Sequence, residues 1–340
     1  TFSNSGALGN SSSALTVTNT AVTAFNGLSG AGVLTENASG GTVSVAGVNS
    51  SFSGSTTLTT GTLQIANDNL DPLGTGALNL NGGTLLASTA VTTNSLVNAF
   101  TVGGNVTIAG SNSLTLSGAG TLSSGDTLTS TNTGTTTLSG NLSGAGALIE
   151  NASGGILAIS GSNNSTYTGT TTLTTGTLQI GAATNALGTG SLALNGGNLQ
   201  SSLTATVANA YTLGGNVNIN GSNSLTLSGA GTLSSSDTLT DTNTATTTLS
   251  GNVSGAGALT ENASGGVLAI SGSNSAYTGA TTLTNGTLQI GAASNALGTG
   301  SLALNGGNLQ SSLTATLANA YTVGGNAAIT GANNLTLSAA

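Results

Sequence analysis

The chain of 340 residues contains no lysine, arginine, histidine, cysteine, methionine or tryptophan. Nucleic-acid binding rests on cationic neutralisation of phosphate, so the missing Lys and Arg argue against a nucleic-acid partner and against attraction to anionic lipid headgroups. With neither His nor Lys, a nucleophilic Ser or Thr lacks its usual base. The many Gly-x-Gly strings lack the Lys and the strand–helix setting of a phosphate-cradling loop. No disulfide can form without Cys. The absence of oxidisable Cys and Met, and of any trypsin-type cleavage site, suits an extracellular setting. No apolar run approaches the roughly 20 residues of a membrane helix, so no membrane-spanning segment is expected. The opening TFSNSGALGN has neither the basic region nor the apolar core of a signal peptide. It reads as the start of a mature or internal piece.

Charged residues are 2% of the chain and apolar ones 36%; there are 55 glycines, and Ser, Thr and Asn fill most polar positions. Low complexity of this kind often means disorder. Here, however, the apolar residues alternate and the charge that keeps disordered chains soluble is missing. Gly, Thr, Ser, Asn and Val are poor helix formers. Short Leu/Val/Ile runs between Gly, Asn and Ser fit an all-β chain.

Repetition organises the chain. The segment TYTGTTTLTTGTLQIG at 166–181 returns as AYTGATTLTNGTLQIG at 276–291 and SFSGSTTLTTGTLQIA at 51–66. In each, an aromatic residue (Phe52, Tyr167, Tyr277) precedes a glycine, a Thr-rich run and an alternating strand. There Leu63 and Ile65, Leu178 and Ile180, or Leu288 and Ile290 face one way, and Gln64, Gln179 or Gln289 the other. NALGTGSLALNGGNLQSSLTAT occurs unchanged at 185–206 and 295–316, and SGAGAL at 143–148 and 254–259. These spacings define a unit of about 111 residues, with boundaries at 1–29 (partial), 30–143, 144–254 and 255–340 (partial).

A weaker recurrence near 20 residues, seen at Leu173, Leu194, Leu213, Leu233 and Val253, matches one coil of a β-solenoid. Five coils would fill most of a unit, with the remainder expected in a longer excursion near Gly161–Thr168. The Asn-Gly-Gly triplets at Asn81, Asn195 and Asn305 are expected at coil corners.

The thrice-repeated segment closely resembles the autotransporter-associated β-strand repeat of bacterial type V secreted passenger regions. That resemblance implies a parallel β-helix, right-handed also by the crossover rule, on the cell surface, exported through an outer-membrane barrel. The expected architecture is therefore a single all-β, right-handed parallel β-helix over residues 1–340, of about fifteen coils and on the order of 70 Å long at about 4.8 Å per coil. Thr1-Phe2-Ser3 shares its repeat phase with Thr336-Leu337-Ser338, which leads to an expectation of head-to-tail stacking into a filament.

Candidate chemistry is sparse. Glu36, Glu150 and Glu261 occupy one repeat position, each followed by Asn-Ala-Ser-Gly-Gly, and Asp126 and Asp237 another. A glycosidase needs two carboxylates across one bond. Acids recurring once per unit read instead as solvated turn carboxylates, and folding is expected to depend little on pH. Calcium could use such oxygens, but the Gly-Gly-x-Gly-x-Asp pattern is absent. The Thr-x-Thr pairs Thr57/Thr59, Thr135/Thr137 and Thr172/Thr174 suggest ice binding, but their irregular spacing makes no ladder on every coil; they read as exposed strand hydroxyls. Phe100, Tyr211 and Tyr321 share one position and Phe52, Tyr167 and Tyr277 another. A tyrosine stripe could bind sugar; corner or core roles fit better. No catalytic, cofactor or metal residue is assigned. The expected function is a structural stalk or filament at the bacterial surface, ahead of a glycan- or host-binding adhesin and then of a polysaccharide-acting enzyme.

Overall fold

The computed structural model describes residues 6–66, 71–89 and 91–339, the side chains of 91–94 excepted. The described residues contain no helix; parallel strands stack as a β-solenoid of about fifteen turns. The chain forms two compact units, Thr1–Thr171 and Thr172–Ala340. Thr1-Phe2-Ser3 lies outside the described residues.

Most strands are three or four residues long, and their burial alternates as the sequence does. In Leu225–Leu227 the two leucines face inward and Thr226 faces outward. The same holds for Thr238–Asp241 and Thr246–Leu249. Such strands are too short to stand alone and are held by the ladder above and below. Each fully buried leucine contributes about 1.5–3 kcal/mol relative to exposure.

In the second unit, one ladder runs Leu192–Leu194, Tyr211–Leu213, Gly231–Leu233, Val253–Gly255. A second runs from Asn198–Ser201 through Val217–Asn220 and Thr238–Asp241 to Ala258–Glu261, then Thr281–Leu283, Leu302–Leu304 and Tyr321–Val323. A third joins Ala205–Val207, Leu225–Leu227 and Thr246–Leu249 to the later half of Ala258–Ile270. Leu302–Leu304 repeats the sequence of Leu192–Leu194, yet it stands in the second ladder.

The first unit shows the same shift. The start of Val33–Val45 shares a ladder with Leu142–Gly144, five pairings on. Its repeat equivalent, the start of Ala147–Ile159, stands one ladder further round. The long repeat is thus five coils and one additional side. This is where the residues expected in an excursion go: the stretch around 161–168 forms a strand-poor side, tied in by the bridge between Gly144 and the buried Tyr167.

Rings stack on glycines. A Cβ at Gly231 would overlap the Tyr211 ring, and one at Gly120 the Phe100 ring. The aromatic–glycine pairing, 20 residues apart in both units, is therefore a packing requirement.

Strand-poor sides are held by buried asparagines. Asn209 Nδ2 donates to the carbonyls of Leu187 (3.2 Å), Gly188 (3.2 Å) and Gly190 (2.6 Å). Asn319 repeats the pattern with Leu297, Gly298 and Gly300, and Asn98 donates to Gly74 and Gly76. Replacing Asn209 by Leu leaves three carbonyls without this donor. It is expected to destabilise the second unit by about 2–3 kcal/mol in urea unfolding. Asn195→Ala, at an exposed corner as the Asn-Gly-Gly motif foretold, should change stability by less than about 0.5 kcal/mol. Equal effects would assign Asn209 no special role.

Candidate functional site

The acidic repeat position is not a solvated turn. Glu36 is 1% exposed, and Glu150 and Glu261 are 0% exposed. The reason lies in the strand phase. In Val33–Val45, Leu34, Glu36 and Ala38 share the inward face, and the later repeats copy the pattern. The chain turns just after the glutamate, with register shifts at Glu36/Asn37 and Asn37/Thr42. The side chain folds back to cap that turn: Oε1 accepts the N–H of Ala38 (3.0 Å), Ala152 (3.0 Å) or Ala263 (3.1 Å). The other oxygen, Oε2, is buried without a hydrogen bond in all three. The inward Leu-x-Glu-x-Ala alternation carried this signal, but the Asn-Ala-Ser-Gly-Gly that follows read as an exposed loop. Asp126 and Asp237, by contrast, sit half-buried in turns, as expected.

The three glutamates differ in the residue one coil before. It is Val17 for Glu36, Ser130 for Glu150 and Asp241 for Glu261. Asp241 has no counterpart among the sequence candidates. It lies on the inward face with Leu239, 20 residues before Glu261, and is 1% exposed. Its Oδ1 accepts from the Asn243 N–H and the Thr247 hydroxyl, both at 3.0 Å, while Oδ2 is buried without a partner.

Burial raises all four carboxyl pKa values. Loss of solvation lifts Glu36 above its ordinary value despite the Ala38 N–H. It lifts Glu150 to about 7, opposed by the Ser130 hydroxyl and the Ala152 N–H. Ser130 Oγ counters the shift from nearby without forming a hydrogen bond of ordinary geometry. Asp241 rises to about 6 through burial, opposed by Asn243, Thr247 and Glu261. Glu261 rises to about 9 through burial and then through the charge of Asp241.

Other candidates divide between core and surface. Phe52, Phe100, Tyr167, Tyr211 and Tyr277 are core residues, whereas Tyr321 is exposed; Phe2 lies outside the described residues. Thr57/Thr59, Thr135/Thr137 and Thr172/Thr174 face outward, while the adjacent Thr56, Thr136, Thr171, Thr247 and Thr281 are buried. Outward threonine ladders do run over several coils: Thr42–Thr62–Thr84–Thr107–Thr129 ends at Ile149, and Thr206–Thr226–Thr248 ends at Ala269. Among the described residues, no group of three or more His, Cys, Asp or Glu could hold a metal ion. No helix among them is long and apolar enough to cross a membrane.

No protein-family model, curated protein or solved structure matches the chain.

Proposed function

We propose that the chain is a non-catalytic structural module of a bacterial extracellular stalk or filament, extended by laying further β-solenoid coils end to end. The observation that carries this reading is the way each coil completes the one before it: Tyr211, Leu213 and Ile219 are 2%, 0% and 0% exposed, and their strands pair with Gly231–Leu233 and Thr238–Asp241 of the next coil. A stack built in this way lengthens by adding coils of the same kind. The resemblance to autotransporter passenger repeats and the scarcity of charge support an extracellular place. The inward-facing rings and carboxylates favour this reading over a glycan-binding adhesin or a polysaccharide-acting enzyme, which need them at a surface.

Electron microscopy with helical averaging tests it. Continuous rods with an axial spacing near about 4.8 Å are expected in native material. Discrete particles that do not lengthen with concentration would overturn end-to-end stacking, and glycan-array binding by such particles would favour the adhesin.

A further inference from the structure

Asp241 and Glu261 are register partners on adjoining coils of the second unit. Both are buried, and each carries one oxygen, Oδ2 or Oε2, without a hydrogen bond. Register pairing sets the two side chains on the same inward face, one coil apart, with nothing between the two strands. The chain has no Lys, Arg or His to neutralise them. Around them stand Ile219 below Asp241, Thr247 beside it and Leu283 above Glu261. The other titratable groups nearby are Asp237, half-buried in the turn before Thr238–Asp241, and Tyr277, whose hydroxyl donates to the Ala280 carbonyl. Neither brings a positive charge.

Two carboxylates sealed together in this way cannot both ionise at moderate cost. We propose that Asp241 and Glu261 form a proton-binding site, in which one proton held between Oδ2 and Oε2 satisfies both orphaned oxygens and leaves a single delocalised negative charge. Asn243, Thr247 and Ala263 donate to the outer oxygens and stabilise that charge. The titration belongs to the pair as a whole. In the first unit, Ser130 stands where Asp241 stands in the second, so the device is confined to the second unit. Alkali that transfers the shared proton to hydroxide leaves two adjacent buried anions, which makes the second unit the alkali-sensitive one.

Infrared spectroscopy of the whole chain at pH 8 tests this through the carbonyl stretch of a protonated carboxylic acid. At that pH Glu150, with a pKa of about 7, is mostly ionised, and the buried Glu36 is common to every sample, so the band of the pair is read as the difference from Glu261→Gln. Wild type is expected to show it. Glu261→Gln should abolish it. Asp241→Ser, which recreates the first unit's arrangement and leaves Glu261 in place, should reduce it several-fold. Asp241→Ser should also move the alkaline unfolding midpoint of the second unit to higher pH, and Glu150→Gln should leave the band unchanged. Absence of the band in wild type, or its persistence undiminished in Asp241→Ser, overturns the proposal. So does a rise in melting temperature on adding calcium at pH 8 that Asp241→Ser removes, because the pair would then hold a cation in place of the proton.

Discussion

Thermal unfolding is expected to give a higher melting temperature at pH 4.5 than at pH 8.5, the reverse of the usual loss of stability in acid. The sign follows from the four buried carboxyl groups. Each binds its proton more tightly in the folded chain than in the unfolded one, where Glu titrates at 4.5 and Asp at 3.8. The stability they confer is fully present below those unfolded values. It is lost as pH rises towards the folded values, about 7 for Glu150 and, for Asp241 and Glu261 titrating as one pair, values raised above the ordinary carboxyl range by burial and by their mutual repulsion. Each group costs about 1.4 kcal/mol per pH unit across its window, so Glu150 alone accounts for on the order of 3 kcal/mol by neutral pH. For a unit of this size that is roughly 6–12 °C. The combined variant Glu36→Gln, Glu150→Gln, Asp241→Asn, Glu261→Gln should flatten the profile. A wild-type melting temperature that is constant or higher at pH 8.5 would mean that the carboxylates reach solvent after all.

That result would also mark where the sequence misleads. The coil length and the strand faces are legible because they depend on alternation alone: Leu178, Ile180, Leu288 and Ile290 face inward as their period requires. Burial of the acids follows strand phase, which their polar composition conceals. A glutamate followed by Asn-Ala-Ser-Gly-Gly looks like a loop, whereas the inward position of Leu148, Glu150 and Ala152 is set by the same alternation that buries the leucines. Other features cannot be read from one coil. The extra side in each repeat shows only in which ladder Leu302–Leu304 joins. The pairing of Asp241 with Glu261 depends on register across 20 residues. The triple donation by Asn209 depends on a strand-poor side of the preceding coil folding back beneath it.

The glutamate cap makes a further demand on the next coil, and breaking it should have the largest effect of any single substitution considered. Gly286 has φ +72°, and a Cβ there would overlap the Ala263 carbonyl oxygen and Glu261 Oε1. Gly61 stands likewise above Ala38 and Glu36. Gly286→Ala therefore combines a left-handed backbone penalty of about 1–2 kcal/mol with overpacking against main chain, on the order of 4 kcal/mol in total. Gly265 provides the control. Its φ is +81°, but a Cβ there meets nothing within 4 Å, so Gly265→Ala should cost only the backbone part. The difference between the two, read from urea unfolding of the second unit, isolates the steric term. Glu261→Gln should not relieve it, since the amide oxygen keeps the same place. Glu261→Ala should relieve part of it, because removing Oε1 leaves the Ala263 and Gly266 carbonyl oxygens as the remaining close neighbours, and Gly286→Ala should then cost less in that background than in wild type. Equal costs for Gly265→Ala and Gly286→Ala would show that the turn relaxes freely and that the glutamate does not fix the spacing between coils.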